Sequence, residues 1–171
     1  MKLIDMSKDK IPDYLDDEDY LAILSMGKRR LSHTNVQKIS YILSNVTELK
    51  GKFTAHDYGN FSESIMEKIQ SPLNRNIFSV KNDTYFLTSK GTEIYDKAVA
   101  NLGIKQSVLN LLEILRKMNA EKLEMLTYHM FPEMAKKSRI RPKIEILMSQ
   151  LKSNSKMHAV RDGDTVTLTV E

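Results

Sequence analysis

The chain has 171 residues, 41% hydrophobic and 28% charged, enough to bury one core or two small ones. It contains no Cys, which excludes disulfides, thiolate nucleophiles and Cys-ligated metals. No run approaches the roughly 18 apolar residues of a membrane span, and the charged start "MKLIDMSKDKIPDYLDDEDY" does not read as a signal peptide, so the expectation is a cytoplasmic protein without a membrane partner.

The formal net charge of +4 hides an asymmetry: residues 1–20 hold three Lys against seven Asp or Glu, and the rest of the chain is correspondingly basic. Residues 1–16 read as an acidic tail. A basic remainder suits a polyanionic partner where its charges cluster.

In chain order, "DDEDYLAILSMG" opens with carboxylates that favour a helix N-terminus, sets Tyr20, Ile23 and Leu24 on one side and stops at Gly27. "SHTNVQKISYILSNV" follows a cap at Ser32 and repeats Val36, Ile39, Leu43 and Val46 at helical steps. In "FTAHDYGNFSESIMEKIQ", Phe61, Ile65, Met66 and Ile69 have helical spacing, and Asn60 with Glu63 has the form of a capping box, so a third helix is expected over 60–71, entered through Asn60 or Ser62. "IFSVKNDTYFLTSKG" places two β-rich runs around Asn82-Asp83, a two-residue turn suited to positive φ. Three helices followed by a hairpin is the winged-helix order. "TSKGTEIYDKAVANLG" adds a helix with Ile94 and Ala98 inward and Gly103 as its stop.

The predicted fold is therefore mainly α with small β-hairpins, an α+β winged helix-turn-helix over 17–103 followed by a helical region over 104–171. In that second part "KQSVLNLLEILRKM", "AEKLEMLTYHMF" and "RPKIEILMSQLK" read as helices, and "MHAVRDGDTVTLTV" as a terminal hairpin turning at Asp162-Gly163. It is either a second winged helix or a helical extension that packs on the first domain or on a partner, a second copy included.

Four segments resemble the YwgA-like, phage-associated winged-helix family: "VQKISYIL" (36–43), "FTAHDYGNFSESI" (53–65), "YFLTSKG" (85–91) and, more loosely, "LTYHMFPEMAKKSRI" (126–140). They match in order a "KLQKLIYLL"-like helix, a "YGPfS"-like helix entry, a "Y-x-LT-x-x-G" strand and a "VY-x-x-YPE" segment. Asn60 stands where the family favours Pro. The resemblance implies a DNA-binding architecture.

Chemical sites are sparse. His56 and Asp57 are adjacent and no G-x-S-x-G turn accompanies Ser62, so the three read as a helix entry and not as a nucleophilic relay. His33, His56, His129 and His158 are too dispersed for a local metal motif, "DGDTVT" lacks the closing acid of a calcium loop, and there is no glycine-rich phosphate loop. No cofactor, metal site or enzymatic activity is expected.

Two basic clusters remain: Lys28, Arg29 and Arg30, and "KKSRIRPK" with Lys136, Lys137, Arg139, Arg141 and Lys143. These side chains, with Ser64 and Lys68 on the outward face of the third helix, are the candidate contacts to double-stranded DNA. Glu63 and Glu67 on that helix oppose a phosphate backbone and weaken the case for it acting alone. Val108, Leu111, Leu112 and Leu115 belong to an apolar arc too wide for one packing face and are the candidate homodimer contact. The expected function is a non-enzymatic, dimeric DNA-binding regulator of the transcriptional or phage and toxin-control kind. The alternative is a protein-interaction module on a winged-helix scaffold without DNA binding.

Overall fold

The computed structural model describes residues 11–56, 59–135, 139, 141–143, 145–146, 149, 157–162 and 165–170. It is mainly helical with small antiparallel sheets.

Helix α1 (Asp17–Met26) starts at a capping box: the Asp16 carboxylate accepts from the Asp19 N–H, and the Asp19 carboxylate accepts from the Asp16 N–H. It ends at Gly27, whose φ of +53° suits glycine. Every residue from Asp19 to Met26 is buried, so α1 is a core element and not the one-sided helix its spacing suggests. A short strand β1 (Leu31–Ser32) follows, and the Ser32 hydroxyl caps α2 (His33–Val46) through the Asn35 N–H. All residues of α2 from Asn35 to Leu43 are buried. Polar side chains inside this shell are satisfied locally: the Ser25 and Ser40 hydroxyls meet at 2.9 Å where α1 and α2 cross, and Ser25 also donates to the Leu21 carbonyl.

Strands β2 (Thr54–His56) and β3 (Gly59–Phe61) form an antiparallel hairpin that pairs Thr54 with Phe61 and His56 with Gly59. The third helix, α3 (Glu63–Gln70), starts after that hairpin. Its cap is Ser62, accepting from the Ile65 N–H at 3.3 Å, whereas Asn60 lies in β3. The expected capping box from Asn60 is thereby corrected: a three-residue strand takes the stretch that helical spacing alone assigns to the helix.

A 3-10 turn (Pro72–Asn74) leads to β4 (Phe78–Lys81) and β5 (Thr84–Leu87). Asn82 and Asp83 turn between them with φ of +50° and +56°, as the sequence predicts. β1 pairs with β5, giving a three-stranded antiparallel sheet in the order β1-β5-β4. Thr88 then caps α4 (Ser89–Asn101), accepting from the Gly91 N–H at 3.1 Å, while a Cβ on Gly91 would collide with the Ile77 carbonyl. The "LTSKG" spacing is thus a cap plus a close approach.

Helices α5 (Gln106–Leu115) and α6 (Ala120–Met130) join the same hydrophobic core as α1–α4: Leu112, Leu115 and Leu123 are fully buried in it together with Ile23, Ile39 and Ile94. Arg116 fixes α5 to the end of α1. Its guanidinium is buried and donates to the carbonyls of Ser25 (3.0 Å) and Leu24 while pairing with Glu113 at 2.6 Å. Beyond a 3-10 turn (Pro132–Ala135), helical backbone is present at 141–143, 145–146 and 149, and β6 (Met157–Asp162) pairs antiparallel with β7 (Thr165–Val170). None of the described helices is long and apolar enough to cross a membrane.

Candidate functional site

Two side chains on the outward side of α3, Ser64 and Lys68, are engaged within the molecule. Lys68 is the cation of α3, and its ammonium pairs with Asp16, the N-cap of α1, at 2.8 Å and with Asp19 on the first turn of α1 at 3.2 Å. Burial opposes its charge, but the two carboxylates outweigh that and hold the Lys68 pKa above the ordinary lysine value. Ser64 donates its hydroxyl to Glu18. Glu18 also accepts from the Lys52 N–H, and Asp17 from the Lys50 N–H, so every acid of "DDED" has a structural partner. Glu63, Glu67 and Gln70 are left as the exposed residues of α3, and Gln70 donates to the Tyr85 hydroxyl on β5 at 3.0 Å.

The "KRR" cluster sits between α1 and β1 and is exposed. Lys28 pairs with Asp96 of α4 at 3.2 Å, and the Arg30 guanidinium lies over the Phe86 ring of β5, 4.3 Å from its centroid. Of the second cluster, Lys136 and Lys137 lie outside the described residues. Arg139 is exposed, Arg141 pairs with Glu145 at 2.7 Å, and Lys143 pairs with Glu121 of α6 at 3.7 Å. Val108, Leu112 and Leu115 lie in the core of the single chain and Leu111 packs partly buried against it, so the wide arc of α5 is occupied without a second copy. Ile114 is the large apolar side chain of α5 that remains exposed, at 51%.

A second site, which charge and periodicity do not reveal, lies between α2, the β2–β3 hairpin and α6. It is a cavity of about 490 Å³ with Lys38 in its wall. Lys38 is only 2% exposed, and its ammonium donates to the Asn60 carbonyl at 3.3 Å and the Asn60 side-chain oxygen at 3.4 Å. Gly59 permits this approach: a Cβ there would lie 3.0 Å from the Lys38 Nζ and 2.7 Å from a ring carbon of Tyr128. Burial pushes the Lys38 pKa down to about 8, against the attraction of Glu124. Burial likewise raises the Glu124 carboxyl, against Lys38 and Lys143.

Gln37 braces the hairpin, donating to the Ser62 carbonyl and accepting from the Ser62 N–H, each at 2.8 Å. Ser62 is thereby committed to backbone and cap contacts. His33 and His56, 23 positions apart in sequence, both border this one cavity, and the His56 ring lies tilted against the Phe61 ring with 5.3 Å between centroids. The Asn60 amide nitrogen is buried without a hydrogen-bond partner among the described residues. No group of three His, Asp or Glu side chains with metal-binding geometry occurs among the described residues.

No family model matches the sequence, and no curated protein or solved structure proved significantly similar to the chain.

Proposed function

We propose that the chain is a non-enzymatic protein-interaction module built on a winged-helix scaffold, with α3 in the recognition-helix position and β4–β5 as the wing. The helix order, the β1-β5-β4 sheet and the segments resembling the YwgA-like family support the scaffold. One observation carries the functional choice. Lys68 and Ser64, the α3 side chains best suited to a DNA backbone, are spent on Asp16, Asp19 and Glu18, and the charges α3 presents outward are Glu63 and Glu67. Such a face repels phosphate and suits a protein surface. Leu73, 90% exposed directly after α3, and Val80, 57% exposed on β4, supply apolar contact on the neighbouring elements.

Double-stranded DNA binding by a dimeric regulator is the second reading, favoured by the exposed Arg29 and Arg30 and by the five cations within 136–143. The two readings separate in a fluorescence anisotropy titration with random and genomic duplexes at low salt. The interaction module gives weak binding without sequence preference, unchanged by Gln70→Ala. A DNA reader gives specific binding that Gln70→Ala impairs and a log-log salt slope of about −4.5 if roughly five phosphates are neutralised.

A further inference from the structure

The cavity beside Lys38 plays no part in the interaction proposed for α3, and its chemistry is unusual for a packing defect. Asn60, which borders it and is only 2% exposed, has its amide nitrogen buried without a hydrogen-bond partner among the described residues. A buried donor in that state is costly and calls for an oxygen atom to complete it. The Lys38 ammonium is held beside it by the Asn60 carbonyl and side-chain oxygen, adding positive charge at the same point. His33 and His56 border the same space. One side is bordered by the rings of His56 and Phe61, tilted 36° to each other with centroids 5.3 Å apart, which offers aromatic contact. The volume of about 490 Å³ falls within the range that holds small organic ligands.

We infer that this cavity is a binding site for a small aromatic monocarboxylate, its carboxylate accepting from the Asn60 amide and facing Lys38, and its ring lying against His56 and Phe61. The charge count selects the monoanion. Glu124 of α6 also borders the cavity, so a phosphate dianion would meet stronger repulsion from that carboxylate than a monoanion would. The orphaned group is a donor, so an ammonium or amidinium ligand would leave it unsatisfied. Bound ligand would bridge α2, the β2–β3 hairpin and α6, which makes the site suited to a small-molecule effector.

The test is an NMR titration of the full chain with benzoate, benzamide and inorganic phosphate near neutral pH. Benzoate is expected to produce saturable shifts in the Asn60 side-chain amide and in the backbone amides of Thr34 and Phe61, with benzamide at least about tenfold weaker, since it lacks the charge that strengthens a hydrogen bond. Phosphate is expected to leave the Asn60 amide unmoved. Asn60→Ala should weaken benzoate about tenfold, the loss of one charge-assisted hydrogen bond. If Asn60→Ala fails to fold, the three-ligand comparison on the wild-type chain decides alone. Equal shifts from benzoate and benzamide, or no saturable shift at the Asn60 amide with benzoate, overturn the assignment.

Discussion

The Lys68 ammonium on α3 lies 3.2 Å from the carboxylate of Asp19 on α1, a residue only 4% exposed. Asp19 also caps its own helix, so one carboxylate links the start of α1 to the outward face of α3. The pair fixes the orientation of α3 and removes its cation from the surface. Lys68→Met should leave Asp19 buried without its counter-ion and cost about 1–2 kcal/mol, seen as a lower urea midpoint at unchanged m-value. Lys68→Arg should lose less. Equal stability of all three proteins would show that α3 is held by its apolar face alone.

Lys38 makes stability depend on alkaline pH in a defined direction. Its folded pKa, about 8, lies below the unfolded value of 10.5, so the folded state sheds its proton first. Between these values the unfolded chain binds more protons, and the stability of the wild type relative to Lys38→Met should rise with pH. From pH 8 to pH 10 the gain is about 2–3 kcal/mol, at roughly 1.4 kcal/mol per pH unit. The groups around Lys38 are Asn60 and Gly59 on the hairpin and Glu124 and Tyr128 on α6, and His33 and His56 border the same cavity. Parallel urea titrations at both pH values measure the difference. A constant gap between the two proteins would mean that Lys38 is not desolvated.

Arg116 should be intolerant of substitution. It satisfies the Leu24 and Ser25 carbonyls at the C-terminus of α1, and its side chain contacts Tyr95 on α4. Arg116→Met removes these donors while keeping much of the volume, and is expected to cost about 3 kcal/mol, lowering the thermal midpoint by several degrees. Arg116→Lys keeps the charge but not the forked geometry and should recover less than half of that loss.

Leu112 is fully buried within the single chain. Leu112→Ala should therefore cost about 3 kcal/mol through the cavity it leaves, with the sedimentation coefficient of the folded protein unchanged. A shift from dimer to monomer without loss of stability would return α5 to the role of an intermolecular contact.

Elements whose signals are local were legible in the sequence. Asn82-Asp83 adopts positive φ because those residue types tolerate it, and Ser32 and Gly27 bound helices where their chemistry suggests. The β2–β3 hairpin was not, because strands of three residues carry no usable alternation and Phe61 keeps the helical spacing of α3. Lys38 and Arg116 are missed for a different reason: a cation reads as solvated unless the carbonyls that receive it are known, and those lie on other elements. His33 and His56 come to border one cavity through the packing of the hairpin on α2.

The claim that α3 and the wing face a protein, not DNA, is tested most directly by placing a photo-crosslinking amino acid at Glu67 and at Leu73 and irradiating cells that normally make this chain. The account predicts discrete protein adducts at both positions, lost when Val80→Glu disrupts the neighbouring apolar contact, and no nuclease-sensitive adduct. Nuclease-sensitive adducts at Glu67, with none to protein, would contradict it and establish α3 as a nucleic-acid contact.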